Sequence, residues 1–584
     1  MPIWLTVPAF AILLIVFGIP IMRLFLSSLD APAFSIANYQ AFFAQRANVL
    51  VLLQTVKISA VATVICVIIG YPTAYLIVAV SKRLRVVLIV LILIPFLTSG
   101  LARTYAWVVI LGSHGLINNL LLDLRLISSP LSLIYNRMAV YIGMVHIMLP
   151  VMILPLVSVM LGIDKSLMAA ASSMGARPLS AFWRVFFPLS LPGVRSGSML
   201  VFIFCLGFYI TPVALGGLRD AMLSTFIVAQ VESAFNLAQI ATTAFILLGI
   251  AAIMLSLVGL DLSSKQGLAV QPARKYRSSR LPVLGALRKI LNELATRFRV
   301  RRWISQLYRA RGGSRWLSII GTMYVGLVMV FLLFPELIVI VMSFSAGPFL
   351  EFPPSGFSLH WYYAFFDDPS WTGALWASIQ IGIAVTALST IVGMLAAYGL
   401  SRAHPRLRGW LTMAILTPIT FPAIVVAVAI YFGLIKLGLI GTKTGIILAH
   451  TIGAMGSVVV IVSATLANFD RRLEQAAMSM RAGPLRTFTR VTLPLIRPGI
   501  IGGAVFAFIH SFDEVVITSL VNGLSIYTLP LKMWQNMQNQ IDPTIAAVAS
   551  LLTLLPVLWL VALYVTWWRS RLNSRCGVQA LSET

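Results

Sequence analysis

The sequence predicts an all-α polytopic membrane protein built from two six-helix repeats, with about 12 transmembrane helices. Three observations carry this prediction. Of 584 residues, 59% are apolar and only 10% charged, against about 25% charged in soluble domains, and the mean hydropathy is +0.95. Twelve apolar runs reach the roughly 20 residues needed to cross ~30 Å of hydrocarbon. The runs also fall into two sets of six that match each other at fixed offsets. Of the three cysteines, Cys66 and Cys205 lie in apolar runs and Cys576 in a polar tail, too few for a disulfide framework.

In chain order the first set covers 3–25, 52–80, 86–111, 138–161, 196–216 and 240–262. The first run has no basic region ahead of it and no small-residue cleavage site after it, so it is expected to be a retained helix. The second set covers 317–343, 376–400, 410–435, 446–466, 500–521 and 544–568. The chain thus divides into a first unit (1–262), a basic segment (263–316), a second unit (317–570) and a tail (571–584). Pro95, Pro150, Pro155, Pro418 and Pro422 lie inside predicted spans and are expected to kink or break them.

Loop charge sets the orientation. Lys82, Arg83 and Arg85 follow the second span, and Arg402, Arg406 and Arg408 follow the eighth; the loop between spans seven and eight carries Glu351, Asp367 and Asp368. The positive-inside rule places both termini and the central segment in the cytoplasm. Residues 263–316 hold 14 Lys and Arg against one Glu (Glu293), half of the chain's formal excess of +26. Two readings stand: a basic interfacial helix that holds anionic lipid headgroups, or a linker that charge retains inside. Nucleic acid is the weaker account of the basicity, because few basic residues lie outside the short loops and this segment.

The internal match is specific. IIGYPTAYLIVAVSKRLR, ending at Arg85, aligns with IVGMLAAYGLSRAHPRLR, ending at Arg408, at an offset of 323; Gly70 falls on Gly393, Tyr75 on Tyr398 and Pro95 on Pro418. IDKSLMAAASSMGARPLSAFWRVFFPLSLPGV aligns with FDRRLEQAAMSMRAGPLRTFTRVTLPLIRPGI at an offset of 306. This longer segment lies between the fourth and fifth spans of each unit, on the cytoplasmic side. Leu167, Ala170, Ala171 and Met174, and likewise Leu473, Ala476, Ala477 and Met480, recur at i, i+3, i+4, i+7, giving each copy a short helix with a narrow apolar face. Asp164 and Asp470 stand where N-caps belong; Gly175 permits a reversal at positive φ and Pro178 can start the next helix. Small alanines allow another surface to approach closely, so two copies imply a partner with two equivalent grooves. The plainer alternative is a helix that packs on its own bundle.

This segment resembles the EAA loop of permease subunits of binding-protein-dependent ABC importers, in which Glu-Ala-Ala is followed after three residues by Gly and further on by Leu-Pro. Here the first copy reads Ala169-Ala170-Ala171, Gly175 and Pro188, and the second Gln475-Ala476-Ala477, Arg481 and Pro494. Both lack the motif's Glu. Arg481 takes the Gly position, with Gly483 two residues later, so the second turn is expected to be shaped differently. LARTYAWVVILGSHGLINNLL, HSFDEVVITSLVNG and TLPLKMWQNMQNQIDPTIAAVASLLTL are similar to the two permeases of spermidine/putrescine-type importers, here joined end to end. The resemblance implies a bacterial inner-membrane location, a cytosolic ABC ATPase homodimer on the two EAA loops, and a periplasmic or lipid-anchored solute-binding protein on the other face. The chain has no G-x-x-x-x-G-K-[ST], so ATP and Mg belong to the partner ATPase and no cofactor is expected on this chain.

Ionisable residues within spans mark candidate solute sites. His510, Asp513 and Glu514 lie in the eleventh span, with Asp513 roughly 20 Å from a start near 500 at ~1.5 Å per residue. As a continuous helix, His510 would share a face with both acids. Their counterparts at the offset of 306 are Gly207 and Phe208, followed by Tyr209. Acid on one side and an aromatic ring on the other suit a cationic solute; the alternative is that the acids pair with a structural Arg or cap a helix break. Arg103, Tyr105 and Trp107 in the third span form a second group, whose Arg could neutralise one of the acids, while interfacial anchoring is the commoner role for the aromatics. A polyamine is the expected cargo, with iron(III), 2-aminoethylphosphonate or another small amine as alternatives. A gradient-driven carrier of two six-helix halves has no need of the repeated cytoplasmic segment. A membrane enzyme lacks support, since no metal-ligand cluster, nucleophile elbow or catalytic carboxylate pair is found.

Overall fold

The computed structural model describes residues 2–30, 32–233, 236–258, 313–348, 351–354, 356–539, 543–555 and 557–558. The basic segment up to residue 312, residues 556 and 559–568 of the expected twelfth span, and the tail with Cys576 lie outside them. Among the described residues the regular elements are helices, apart from one isolated bridge between Ser345 and Phe357.

In the first half, α1 (Ile3–Ser28) is followed by α2 (Arg46–Ala79), α3 (Lys82–Leu97), α4 (Gly100–Leu111) and α5 (Arg137–Leu161). A short α6 (Lys165–Ser173) leads through a turn and a π segment (Phe182–Phe186) into α7 (Phe187–Leu206), then α8 (Ile210–Leu215) and α9 (Leu237–Val258). The second half repeats the series as α10 (Gly313–Met342), α11 (Pro369–Arg402), α12 (Pro405–Thr420), α13 (Ala423–Lys436), α14 (Lys443–Ala467), α15 (Arg472–Ser479), α16 (Leu493–Phe512) and α17 (Val516–Val521). The described part of the last span is α18 (Thr544–Leu555). Both α2 and α11 are 34 residues long and lie 323 apart, and α5 and α14, 25 residues each, lie 306 apart.

Among the described residues ten helical stretches, Gly100–Asp123 counted as one, are long and apolar enough to span a bilayer, and the pair α12 and α13, bent by 99°, makes an eleventh. The twelfth expected span is described only as α18. Four expected spans are corrected. The third and ninth are not straight: each breaks, at Thr98–Ser99 and at Phe421–Pro422. Pro95 and Pro418 stand three residues before these breaks, and Pro422 caps α13. Pro150 and Pro155 lie inside α5, which is not broken at either of them. The fifth and eleventh spans start earlier than predicted and end at Leu206 and Phe512, so 196–216 and 500–521 each cross a break. Asp513 is the C-cap of α16, and Glu514 lies beyond the helix, not on a face shared with His510.

The repeated glycines mark where spans meet. A Cβ on Gly70 would lie 2.9 Å from Met152, and one on Gly393 2.9 Å from Val458, so α2 reaches α5, and α11 reaches α14, at backbone distance. Each first span crosses to the opposite half. Pro20 of α1 lies against Gly433 of α13; from α10, Tyr324 donates to the Ile69 carbonyl at 2.7 Å, and the Leu332 carbonyl lies 3.1 Å from His146 Nε2. A larger side chain at a glycine contact must push a neighbouring helix away, at about 1–3 kcal/mol. Gly393→Leu is therefore expected to lower the thermal midpoint of the detergent-solubilised protein, whereas Gly409→Leu, at a position with nothing within 4 Å, is expected to leave it nearly unchanged.

Candidate functional site

Two regions carry the candidate residues, a polar crossing inside the bundle and the paired segments between the fourth and fifth spans of each half. At the crossing, Ser99 caps α4 by accepting from Ala102 N at 3.3 Å. The next amide, Gly100 N, donates to Asp513 Oδ2 at 3.1 Å. A helix N-terminus leaves such amides unpaired and carries partial positive charge, so it suits a carboxylate in low dielectric. Arg103, one turn on and 5% exposed, donates from Nε to the Ser99 carbonyl (3.4 Å) and from Nη2 to the Thr98 carbonyl (3.3 Å). It lies within electrostatic reach of Asp513 and of Glu336. Glu336, on α10 and 4% exposed, accepts from Thr98 Oγ1 at 2.7 Å and from Thr553 Oγ1 at 3.2 Å.

The cluster therefore joins Thr98, Ser99, Gly100 and Arg103 of the first half to Glu336, Asp513 and Thr553 of the second. Two carboxylates face one guanidinium. Arg103 Nη1, Asp513 Oδ1 and His510 Nε2 are buried with no hydrogen-bond partner among the described residues. A cleft lined in part by Leu97, Ser99, Phe512, Asp513 and Leu552 opens beside them. Glu514 caps α17, accepting from Ile517 N at 3.0 Å. The His510 ring packs on α14, leaving no room for a Cβ at Gly453.

The matched crossing in the other direction is apolar. Residue 423 corresponds to Gly100 at the offset of 323, and Gly207 corresponds to Asp513 at 306. A Cβ on Gly207 would lie 2.7 Å from Ala423 N. Each half's broken third span thus meets the other half's broken fifth span, with a carboxylate between them at one crossing and bare backbone at the other.

The remaining candidates separate. Tyr209 packs edge-on against Trp534, ring centroids 5.7 Å apart. Tyr105 is fully buried and Trp107 is 8% exposed, held between His146 and Phe331. Burial inside the bundle corrects the expectation that they anchor the chain at the membrane interface. Sequence reasoning missed Glu336, although an acid in the apolar run 317–343 is the same signal that singled out Asp513.

In the paired segments, Asp164 Oδ1 accepts from Ser166 N and Asp470 Oδ1 from Arg472 N, both at 2.9 Å. The Ser166 amide and hydroxyl hold the exposed Asp164 carboxyl below the ordinary carboxylate range. Both turns then close alike: Met174 N bonds Ala170 O and Ala176 N bonds Ala171 O, as Met480 N bonds Ala476 O and Ala482 N bonds Ala477 O. Gly175 has φ +79° and Arg481 φ +62°. The second turn is therefore shaped like the first, which corrects the expected difference; Arg481 itself takes the left-handed conformation, at about 1–3 kcal/mol of strain. Gly483 has an ordinary φ of −65° and caps the next turn. Ala171 and Ala477 face inward, each 5% exposed, while Leu167, Ala170, Leu473 and Ala476 are exposed; Met174 (82%) and Met480 (78%) stand clear of the protein.

Residues 389–575 match the family described as binding-protein-dependent transport system inner membrane component. The spermidine/putrescine transport system permease protein PotB of Haemophilus influenzae is 35% identical over 30% of this chain and 62% of its own length; that of Escherichia coli K12 is 34% identical over 31% and 66%. The chain thus spans slightly under two thirds of these relatives. The putrescine transport system permease protein PotI of Escherichia coli K12 is 31% identical over 38% of this chain and 81% of its own length. A bacterial ABC transporter involved in import of the acidic polysaccharide alginate aligns at 16% identity over 44% of this chain and 98% of its own, with a TM-score of 0.35. The chain belongs to the family of binding-protein-dependent transport system inner membrane components, and is a multi-pass inner-membrane protein.

The charge balance at the crossing is directly testable. Arg103→Met removes the one cation within electrostatic reach of two buried carboxylates, which is destabilising. Thermal unfolding in detergent is expected to show a clear drop for Arg103→Met and partial recovery in Arg103→Met/Glu336→Gln.

Proposed function

We propose that this chain carries both permease units of an ATP-driven importer that moves a polyamine into the cytoplasm by alternating access between its halves. The observation that carries the reading is the pair of cytoplasmic segments, equal in backbone and each presenting an exposed Leu, Ala and Met. Exposed apolar side chains in a polar setting mark a docking surface. Leu167, Ala170, Ala171, Met174 and Gly175 on one side, and Leu473, Ala476, Ala477, Met480, Arg481 and Gly483 on the other, form the seats for the two subunits of a cytosolic ABC ATPase. That partner binds ATP and Mg and performs the hydrolysis; the chain itself has no chemistry to contribute. A solute-binding protein delivers cargo on the opposite face, and both termini lie in the cytoplasm.

The cargo assignment draws support from the relatives, which are named for spermidine and putrescine transport, and from the charge at the crossing. Two carboxylates against one guanidinium leave the site short of positive charge, and a polyamine ammonium supplies it. In the resting arrangement the α4 N-terminus holds Asp513, with the charge of Arg103 within reach. Separation of the halves exposes Asp513, with His510, Glu514 and Tyr209 of the flanking breaks, to the passing solute. Arg103, Tyr105 and Trp107 line the same route on the first half.

Proteoliposomes holding the chain with its ATPase and receptor are expected to accumulate labelled spermidine only when ATP is supplied inside the ATPase-facing compartment. Uptake driven by a proton or sodium gradient without nucleotide would contradict the reading. Ala170→Glu with Ala476→Glu is expected to abolish co-purification of the ATPase while membrane insertion persists. Asp513→Asn, which keeps an acceptor for Gly100 N, is expected to lower spermidine uptake about tenfold or more; unchanged uptake of spermidine would remove Asp513 from the route.

A further inference from the structure

The second cytoplasmic helix is fastened to its half by a carboxylate that the first lacks. Glu474 in α15 is only 7% exposed. Its Oε2 pairs with Arg402 Nη2 at the C-terminal end of α11, and its Oε1 accepts from Thr492 Oγ1 at 2.6 Å, in the π segment that opens into α16. The Arg402 guanidinium lies over the Tyr398 ring, 5.2 Å from its centroid. Beside it, Arg471 Nη2 donates to the Ser401 carbonyl. One carboxylate therefore joins α15, α11 and the start of α16 through two bonds, one of them charge-assisted.

The corresponding positions in the first half are Met168 for Glu474, Ala79 for Arg402 and Phe186 for Thr492. No charge is present among them. Instead Tyr75, the counterpart of Tyr398, meets Phe182 and Phe186 edge-on, with centroids 5.3 and 5.2 Å apart, and Met168 packs on the core. Apolar packing lets helices slide by small shear, whereas a directional, buried ion pair resists displacement because parting it leaves charge uncompensated.

We propose that Glu474, with Arg402 and Thr492, is a positioning clamp that makes α15 move as one body with α11 and α16, so that the two ATPase seats transmit force unequally: rigidly in the second half and through sliding contact in the first. Glu474 is not a substrate or nucleotide contact in this scheme; it acts through the helices it joins. The inference rests on the ATP-driven reading.

The test is the number of solute molecules moved per ATP hydrolysed, measured in proteoliposomes with the whole complex. Glu474→Gln is expected to lower this ratio about fivefold or more while hydrolysis stays within about twofold. Thr492→Val, which spares the ion pair, is expected to lower it less, and Glu474→Gln/Arg402→Met no more than the larger single effect, because the groups act as one unit. Met168→Gln at the matched position is expected to leave the ratio unchanged. A wild-type ratio in Glu474→Gln overturns the clamp and leaves the importer reading intact. Should Glu474→Gln fail to assemble, Thr492→Val decides: a lowered ratio supports the clamp and a wild-type ratio overturns it. Absence of ATP-dependent uptake by the unmodified complex overturns the importer reading, and the clamp with it.

Discussion

A helix that breaks inside a bilayer exposes amides and carbonyls that lipid cannot satisfy, and this protein breaks two spans in each half. The structure turns the breaks toward each other across the repeat. Gly100 N at the start of α4 finds Asp513 at the end of α16. Ala423 at the start of α13 packs against the backbone of Gly207, where no side chain fits. The second half thus satisfies an amide that the first half's broken span leaves open. First spans that cross over, with Tyr324 of α10 bonded to Ile69 of α2, reinforce the same dependence. Joining the two units in one chain guarantees that each always meets its complement.

Duplication has left the two halves alike in backbone and unlike in chemistry. At the crossing, one copy carries a carboxylate and the other a glycine. In the paired segments, Gly175 and Arg481 occupy the same left-handed turn, yet the helix before one turn is held by Met168 and aromatic rings and the helix before the other by Glu474. The backbone match gives the two segments a common shape. The side-chain differences place a carboxylate at one crossing and none at the other.

Much of this organisation was legible in the sequence wherever the signal was local. Asp164 caps as its position before the apolar run predicts; Asp470 accepts from the first amide of α15, although Arg471 takes the cap position; and the matched Gly70 and Gly393 are close helix contacts. Breaks were harder to read. Residues 196–216 and 500–521 are apolar throughout most of their length, so hydropathy ran straight across Gly207 and Asp513, whose termination depends on the helix packed opposite. Arg481 misled because a non-glycine rarely adopts positive φ, and only the hydrogen bonds of the turn reveal that it does. The partnership of Arg103 with Glu336 and Asp513 spans several hundred residues of sequence and has no local signature, although Glu336 alone could have been flagged as an acid in a span.

The central claim is that one chain presents both seats for a two-subunit engine. Native mass measurement of the complex purified with its ATPase tests it most directly. The account predicts one copy of this chain with two ATPase subunits. Two copies of the chain per ATPase pair would show that each chain contributes a single seat, and would contradict it.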